Sequence, residues 1–230
     1  MRYRIEFQRL PEARFVSHLD TMKTVERAAR RAGIPLAFSE GFNPHPKISF
    51  GSALAVGVTS DQEYLEIELS EDWEPAQLIK QLNQGLPSGY RLLQGRRLAE
   101  NSPAAMSVIN RADYLVRARL GRKITLDELK QLAIEFMARE EIKVVKNTKK
   151  GKREVDLRPG IYQLAVDLQE DYLILRLLLQ AGSTGNIRPE DVLNGLSQMG
   201  DLGIDIISAR IHRLGLAATG DAKRKSPLDI

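Results

Sequence analysis

No cysteine occurs among the 230 residues of this sequence. Its absence excludes disulfides, cysteine-ligated zinc and any iron–sulfur cluster held by the chain itself. Histidine is nearly as scarce, with three residues, and no further ligands stand at compatible spacing, so no metal site is expected. Long apolar runs are missing as well. None approaches the roughly 18 residues that a membrane-spanning helix needs, and no signal-peptide-like apolar segment follows Met1-Arg2-Tyr3-Arg4, so the expectation is a cytoplasmic protein without a membrane partner. No P-loop, dinucleotide fingerprint or nucleophile elbow occurs, which leaves nucleotide hydrolysis and α/β-hydrolase chemistry without support.

What remains is an ordinary globular composition, 43% hydrophobic and 28% charged, at a length that suits two modules of about 100 residues each. The charge is uneven. Lysine and arginine number 34 against 30 acidic residues, a net +4, yet residues 1–103 balance to zero and the remainder holds the whole excess. A basic half points to a polyanionic partner.

Period-2 alternation in Arg2 to Gln8, with Tyr3, Ile5 and Phe7 on one face, predicts a strand. Ser17 with Asp20 forms an N-cap signal and Gly33-Ile34-Pro35 a stop, so a helix of about four turns is expected between them, with Met22, Val25, Ala28, Ala29 and Ala32 inward and Lys23, Arg27, Arg30 and Arg31 outward. Short strands at 35–38, within 48–58 and at 63–69, a helix opened by Pro75 and a strand at 90–93 complete a β-α-β-β-α-β order. Residues 98–107 read as a boundary. The order then recurs: a strand at 112–120, a capping box Thr125-x-x-Glu128, strands at 142–146, 154–157, 161–168 and 172–179, a helix from Pro189 and a closing strand at 204–211. The expected fold is α+β, two ferredoxin-like (βαββαβ) modules in tandem at 1–100 and 108–214, followed by a disordered tail at 215–230.

Two stretches depart from ordinary scaffold. In Ser39-Glu40-Gly41-Phe42-Asn43-Pro44-His45-Pro46-Lys47 each proline holds the residue before it away from helical geometry, so Asn43 and His45 become directed side chains, joined by Lys47, on a loop that presents polar groups. In 143–158, seven basic residues including Lys149, Lys150, Lys152, Arg153 and Arg158 face two acidic ones. This basic hairpin reads either as a solvated turn or as a phosphate contact. The helix arginines Arg27, Arg30 and Arg31 carry the same two readings. His18, in the first turn of the helix, and His45 are candidate general acid and base for metal-free RNA cleavage, helped by Tyr64 or Lys47; alternatively both are structural.

Ser17-His18-Leu19-Asp20, the loop Glu40 to Gly51 with Ala55-Val56-Gly57-Val58, Thr148-Lys149-Lys150-Gly151 and Asp156-Leu157-Arg158-Pro159 together resemble the bacterial radical-SAM-linked family, a domain of unknown function found alone or at the C-terminus of a radical-SAM protein. The likeness runs to about residue 213. It implies a radical-SAM partner that carries the iron–sulfur cluster and S-adenosylmethionine, with no cofactor on this chain. The family brings no catalytic residues to carry over. Tandem ferredoxin-like modules are also similar, at the level of fold, to RNA-processing proteins of CRISPR systems. The function expected is an RNA-binding accessory to a radical-SAM modification enzyme, acting on tRNA or rRNA. A metal-independent endoribonuclease and a protein-binding adaptor are the alternatives.

Overall fold

In the computed structural model, which describes residues 1–148, 151–220 and 223–230, the chain is an α+β fold rich in β-sheet, with five α-helices among the described residues. It divides into two units, Met1–Asn110 with Arg213–Ile230, and Arg111–His212. The first unit therefore takes back the end of the chain, which the expected boundaries at 1–100 and 108–214 did not include.

In the first unit β1 (Arg2–Arg9), α1 (His18–Arg31), β2 (Ile48–Phe50), β3 (Val58–Glu68), α2 (Pro75–Gly85) and β4 (Tyr90–Arg97) follow as β-α-β-β-α-β. β1 lies between β4 and β3, the strand at 205–220 follows β3 in the sheet, and β2 pairs with β3 off that path; the β1–β4, β1–β3 and β2–β3 pairings are antiparallel. Tyr3, Ile5 and Phe7 meet Val25, Ala29, Leu78 and Leu82 in one core. Burying such side chains contributes about 1.5–3 kcal/mol each. The Ser17 hydroxyl accepts the Asp20 N–H at 3.1 Å and so starts α1, and Pro75 opens α2 at a position whose N–H would be unpaired anyway. Small residues bring the two helices close: a Cβ on Gly85 would stand 2.5 Å from the Ala28 carbonyl oxygen. The segment expected as a strand at 35–38 makes only isolated bridges, Leu36 to Leu69 and Phe38 to Pro46. Of the stretch 48–58, only Ile48–Phe50 pairs before the chain loops over to β3.

The other face of this sheet is also covered. Arg4, Glu6 and Glu66 are buried, although alternation places them opposite the apolar core. Across the β1–β3 ladder Arg4 faces Glu66, and the pair closes at 2.8 Å with both side chains out of water. The same guanidinium donates to main-chain oxygens of Pro103, Pro227 and Ile230, while Glu66 accepts the Ala105 N–H at 2.9 Å. The stretch read as a bare linker thus carries a short helix, α3 (Ala105–Val108), with Ala105 and Ile109 buried. The 215–230 tail expected to be disordered is instead built into the unit. Its first residues finish a long strand, β10 (Asp205–Gly220), Lys223–Lys225 pairs back on it, and a 3-10 turn at Pro227–Asp229 buries Leu228. Its backbone carbonyls satisfy Arg4 and Arg96, which a composition-based reading of a small, polar segment does not register.

The second unit runs β5 (Arg111–Arg119), α4 (Leu126–Ala138), β6 (Lys143–Thr148), β7 (Gly151–Asp156), β8 (Ile161–Gln169), β9 (Tyr172–Gln180), α5 (Pro189–Gly200) and the first half of β10. Its strand order is β10-β5-β9-β8, with β6 and β7 forming a separate hairpin. The Thr125–Glu128 capping box is present: the Thr125 hydroxyl accepts the Glu128 N–H at 3.2 Å, and the carboxylate accepts the Thr125 N–H at 2.8 Å. Tyr114, Val116, Leu175 and Leu177 are buried on the strands, as are Leu129, Phe136, Val192 and Leu196 on the helices.

Removing one partner of a buried ion pair leaves an uncompensated charge, so Arg4→Ala is expected to cost about 3–5 kcal/mol. The double replacement Arg4→Met with Glu66→Met should cost far less, since no lone charge remains. Urea denaturation reads both, and equal losses in the two variants would show that Arg4 acts through its carbonyl partners rather than through Glu66.

Candidate nucleic-acid interface

In the second unit, one face of the sheet is packed and the described residues leave the other open. Even-numbered residues of β5 are buried, and the odd ones, Arg111, Asp113, Leu115, Arg117 and Arg119, are half-buried to exposed. Register puts Tyr172 opposite Arg119, Ile174 opposite Arg117 and Arg176 opposite Leu115, so these side chains share that face. On β8, Asp167 lies opposite Ile174 and Ala165 opposite Arg176. Four arginines against Asp113 and Asp167 make the face basic. Two of the arginines are stacked: the Arg117 guanidinium lies 3.3 Å from the Tyr172 ring centroid, and Arg111 lies 3.4 Å from that of Tyr162. Flat guanidinium planes over rings, on an exposed sheet, form a surface suited to phosphates and to unstacked bases. The sequence reading missed it because charges alternating along a strand read as a solvated face. The signal available was a run of arginines, rather than lysines, at i, i+6 and i+8.

The positions singled out from sequence are placed variously. Lys149 and Lys150 lie outside the described residues. Lys152 and Arg153, on β7, are exposed. Arg158 is half-buried and spent internally, donating to the Met137 carbonyl at 3.0 Å where α4 ends and to Ile161 at 3.3 Å. On α1, Arg27 is exposed, Arg30 pairs with Glu26 at 2.7 Å, and Arg31 donates to the Gly85 carbonyl at 2.5 Å. The loop is a closed tip. Ser39 N–H donates to the His45 carbonyl at 2.8 Å, His45 N–H donates to the Ser39 hydroxyl at 3.0 Å, and Lys47 N–H donates to the Ala37 carbonyl at 2.9 Å. Asn43 and His45 are exposed, Phe42 stands fully out at the tip, and the Lys47 amine pairs with Glu68 at 3.0 Å.

The two histidines are not brought into one pocket. His45 and Lys47 line a 350 Å³ pocket with Arg2, Ser49 and Glu66. His18 lines a separate cavity of about 10 Å³ with Arg9, Thr21 and Glu63, large enough for about one water. Tyr64, the suggested helper, meets the Ser226 hydroxyl at 3.2 Å, and burial raises its pKa. His18 lies edge-on to Phe50 with ring centroids 5.1 Å apart. Burial, then the charge of Arg9, lowers its pKa. Glu63 is buried; desolvation raises its pKa against the opposing pull of Arg213, which stands 3.4 Å away. Arg9 is held by the carbonyls of Ala13 at 3.0 Å and Arg14 at 2.9 Å. This cluster therefore ties the strand ends to the loop before α1. Among the described residues no group of three or more His, Asp or Glu side chains is arranged to hold a metal, and no helix is long and apolar enough to cross a membrane.

A family model described as "Uncharacterized protein conserved in bacteria (DUF2344)" matches residues 2–189. No curated protein sequence matches this one. Among solved structures the chain is similar in fold to an H/ACA RNP bound to a substrate RNA containing 2'-deoxyuridine, with 11% identity and a TM-score of 0.51 over 95% of this chain and 47% of that one. A Cbf5-Nop10-Gar1 complex overlaps less closely, at 11% identity and a TM-score of 0.46 over 85% of this chain and 43% of the other. The chain spans less than half the length of either.

The two perturbed groups around the small cavity work in opposite directions with pH. Glu63 has its folded pKa raised above its ordinary value of 4.5, so its contribution to stability is fully present below that value and is lost as pH rises through the folded pKa. Urea denaturation between pH 4.5 and 7.5 should therefore show wild type losing stability relative to Glu63→Gln as pH rises; a constant or widening advantage for wild type would mean that the ion pair with Arg213 outweighs desolvation. His18 should titrate by NMR with a midpoint below its ordinary 6.5.

Proposed function

Because the chain belongs to the family of uncharacterized proteins conserved in bacteria, its function has to be argued from its own surface, and we propose that it is an RNA-binding accessory protein. The observation that supports this reading is the open arginine face of the second unit, with Arg111, Arg117, Arg119 and Arg176 side by side on two central strands. Arginine holds phosphate through a planar fork and stacks on rings, where lysine acts only as a point charge. Lys152 and Arg153 on the hairpin extend the positive surface and act on the phosphate backbone, adding affinity without reading sequence.

We read both units as ferredoxin-like. The support is that the first unit runs β-α-β-β-α-β, that the second does so once its separate β6–β7 hairpin is set aside, and that the face away from the helices is the one such modules offer to RNA. The solved RNP of similar fold contains a substrate RNA, and at 11% identity that likeness is one of fold alone. The proposed RNA is a tRNA or rRNA, and the proposed partner is a cytoplasmic radical-SAM enzyme that carries the iron–sulfur cluster and S-adenosylmethionine. Support for that partner comes from the sequence resemblance and from a chain with no cysteine to hold such a cluster. In this arrangement the closed loop with Asn43, His45 and Lys47 is the surface that meets the enzyme, and the arginine face holds the RNA.

Fluorescence anisotropy of labelled RNA against salt tests the reading. Arg119→Ala and Arg176→Ala should each weaken binding to unrelated RNAs alike and lower the log–log salt slope by about 1. Lys152→Ala with Arg153→Ala should do the same to a smaller degree. Unchanged binding in all of these, with folding intact, would overturn the assignment of RNA to this unit. The purified chain should leave the RNA uncut, and a product that disappears in His18→Ala and survives EDTA would replace the accessory reading with a nuclease.

A further inference from the structure

Resting on the RNA-binding reading, we infer that the open face of the second unit takes single-stranded RNA, with bases stacked on Tyr162 and Tyr172 and Arg111 and Arg117 moving from those rings to the phosphates.

Three observations lead there. Both rings lie on the face that the helices leave uncovered, and both are only half-buried. Each already holds a planar group at stacking distance, since Arg111 is 3.4 Å from the Tyr162 centroid and Arg117 is 3.3 Å from that of Tyr172. A base has the same flat shape as a guanidinium and a larger π-face, so it can take the ring while the displaced arginine, still anchored on β5, turns to the neighbouring phosphate. The exchange keeps the arginine charge satisfied in both states.

The spacing supports a short strand of RNA rather than one isolated base. Tyr172 stands opposite Arg119 at one end of the β5–β9 ladder, and Tyr162 adjoins the pairing of Ile161 with Leu179 at the other. About seven residues along an antiparallel strand separate the two levels, roughly 20–25 Å. Such a length accommodates on the order of four nucleotides, the low end of what a single-strand-binding module covers. Between the two rings lie Ile174 and Leu178, half-buried, with the exposed Leu115 and Arg176. These give the middle bases an apolar floor and one further cation. A duplex keeps its bases stacked inside and can use only the charges of this face, so it should bind more weakly and with a steeper dependence on salt.

The experiment compares a mixed-sequence 12-nucleotide RNA with the blunt duplex formed by the same sequence, using the full chain. Single-stranded RNA is expected to bind at least tenfold more tightly. Tyr172→Ala should lower its affinity by roughly 5- to 150-fold, the size of one lost base stack, with the salt slope unchanged because the ring carries no charge. Tyr172→Phe keeps the ring and should restore the affinity that Tyr172→Ala loses, which a lost hydroxyl would not allow, and a urea midpoint for Tyr172→Ala equal to wild type separates a lost stack from a folding defect; Tyr162→Ala and Tyr162→Phe repeat the test at the other end. If duplex binds as well as the single strand, or if both alanine variants bind like wild type while Arg176→Ala weakens binding, the stacking inference falls and the RNA-binding reading stands. If neither RNA binds the folded protein, both fall.

Discussion

A guanidinium sealed inside the first unit sets what the rest of that unit can be. Arg4 is fully buried, and its guanidinium carries five N–H donors and no acceptor. Every part of the surroundings must therefore supply acceptors. Glu66 brings the countercharge from β3, and Pro103, Pro227 and Ile230 bring main-chain oxygens from two segments that alternation alone would leave in solvent. The cost of desolvating the pair is of the order of the Coulombic gain, so the pair by itself adds little net stability. Its effect is on specificity: with Arg4 in place, the segment after β4 and the end of the chain have one low-energy position, against the polar face of the sheet.

That arrangement explains why the two units, although their elements follow in a similar succession apart from the β6–β7 hairpin, present different surfaces. In the first unit both faces of the sheet are occupied, one by α1 and α2 and the other by α3 and the chain end. In the second unit the helices cover one face and the described residues leave the other uncovered, and its odd-numbered β5 side chains remain in contact with water. Identical alternation in sequence therefore has opposite consequences. Arg4 and Glu6 on β1 are buried, whereas Arg117 and Arg119 on β5 are exposed, and the difference lies in distant segments rather than in the strands themselves.

Local signals were legible where the physics is local. Ser17 with Asp20, Thr125 with Glu128, and the prolines at 75 and 189 start helices where they stand, because capping and the fixed φ of proline act within a few residues. The stretch at 39–47 was readable as a loop from its prolines, but not its closure through Ser39 and His45 nor the pairing of Lys47 with Glu68. What sequence did not disclose depends on long-range contacts. The ordering of the chain end requires Arg4 and Arg96, more than a hundred residues away. Arg158 and Arg31, read as candidates for a ligand, are consumed by carbonyls at helix ends, and only the tertiary structure reveals that those acceptors are near.

The kinds of cation on the two basic features separate their roles. On the hairpin the exposed cations are of both kinds, Lys143 and Lys152 with Arg153, and an ammonium is a point charge where a guanidinium is a planar fork. On the open face every cation is arginine, and two of the four stack on tyrosines. An ammonium in those places would supply the same charge at lower desolvation tolerance, and it would leave both rings uncapped in water. The stack covers one face of each ring and holds the guanidinium within 3.4 Å of the Tyr162 centroid and 3.3 Å of that of Tyr172. Substituting Arg111 or Arg117 therefore removes a ring contact as well as a charge, whereas substituting Lys152 or Arg153 on the hairpin removes exposed charge.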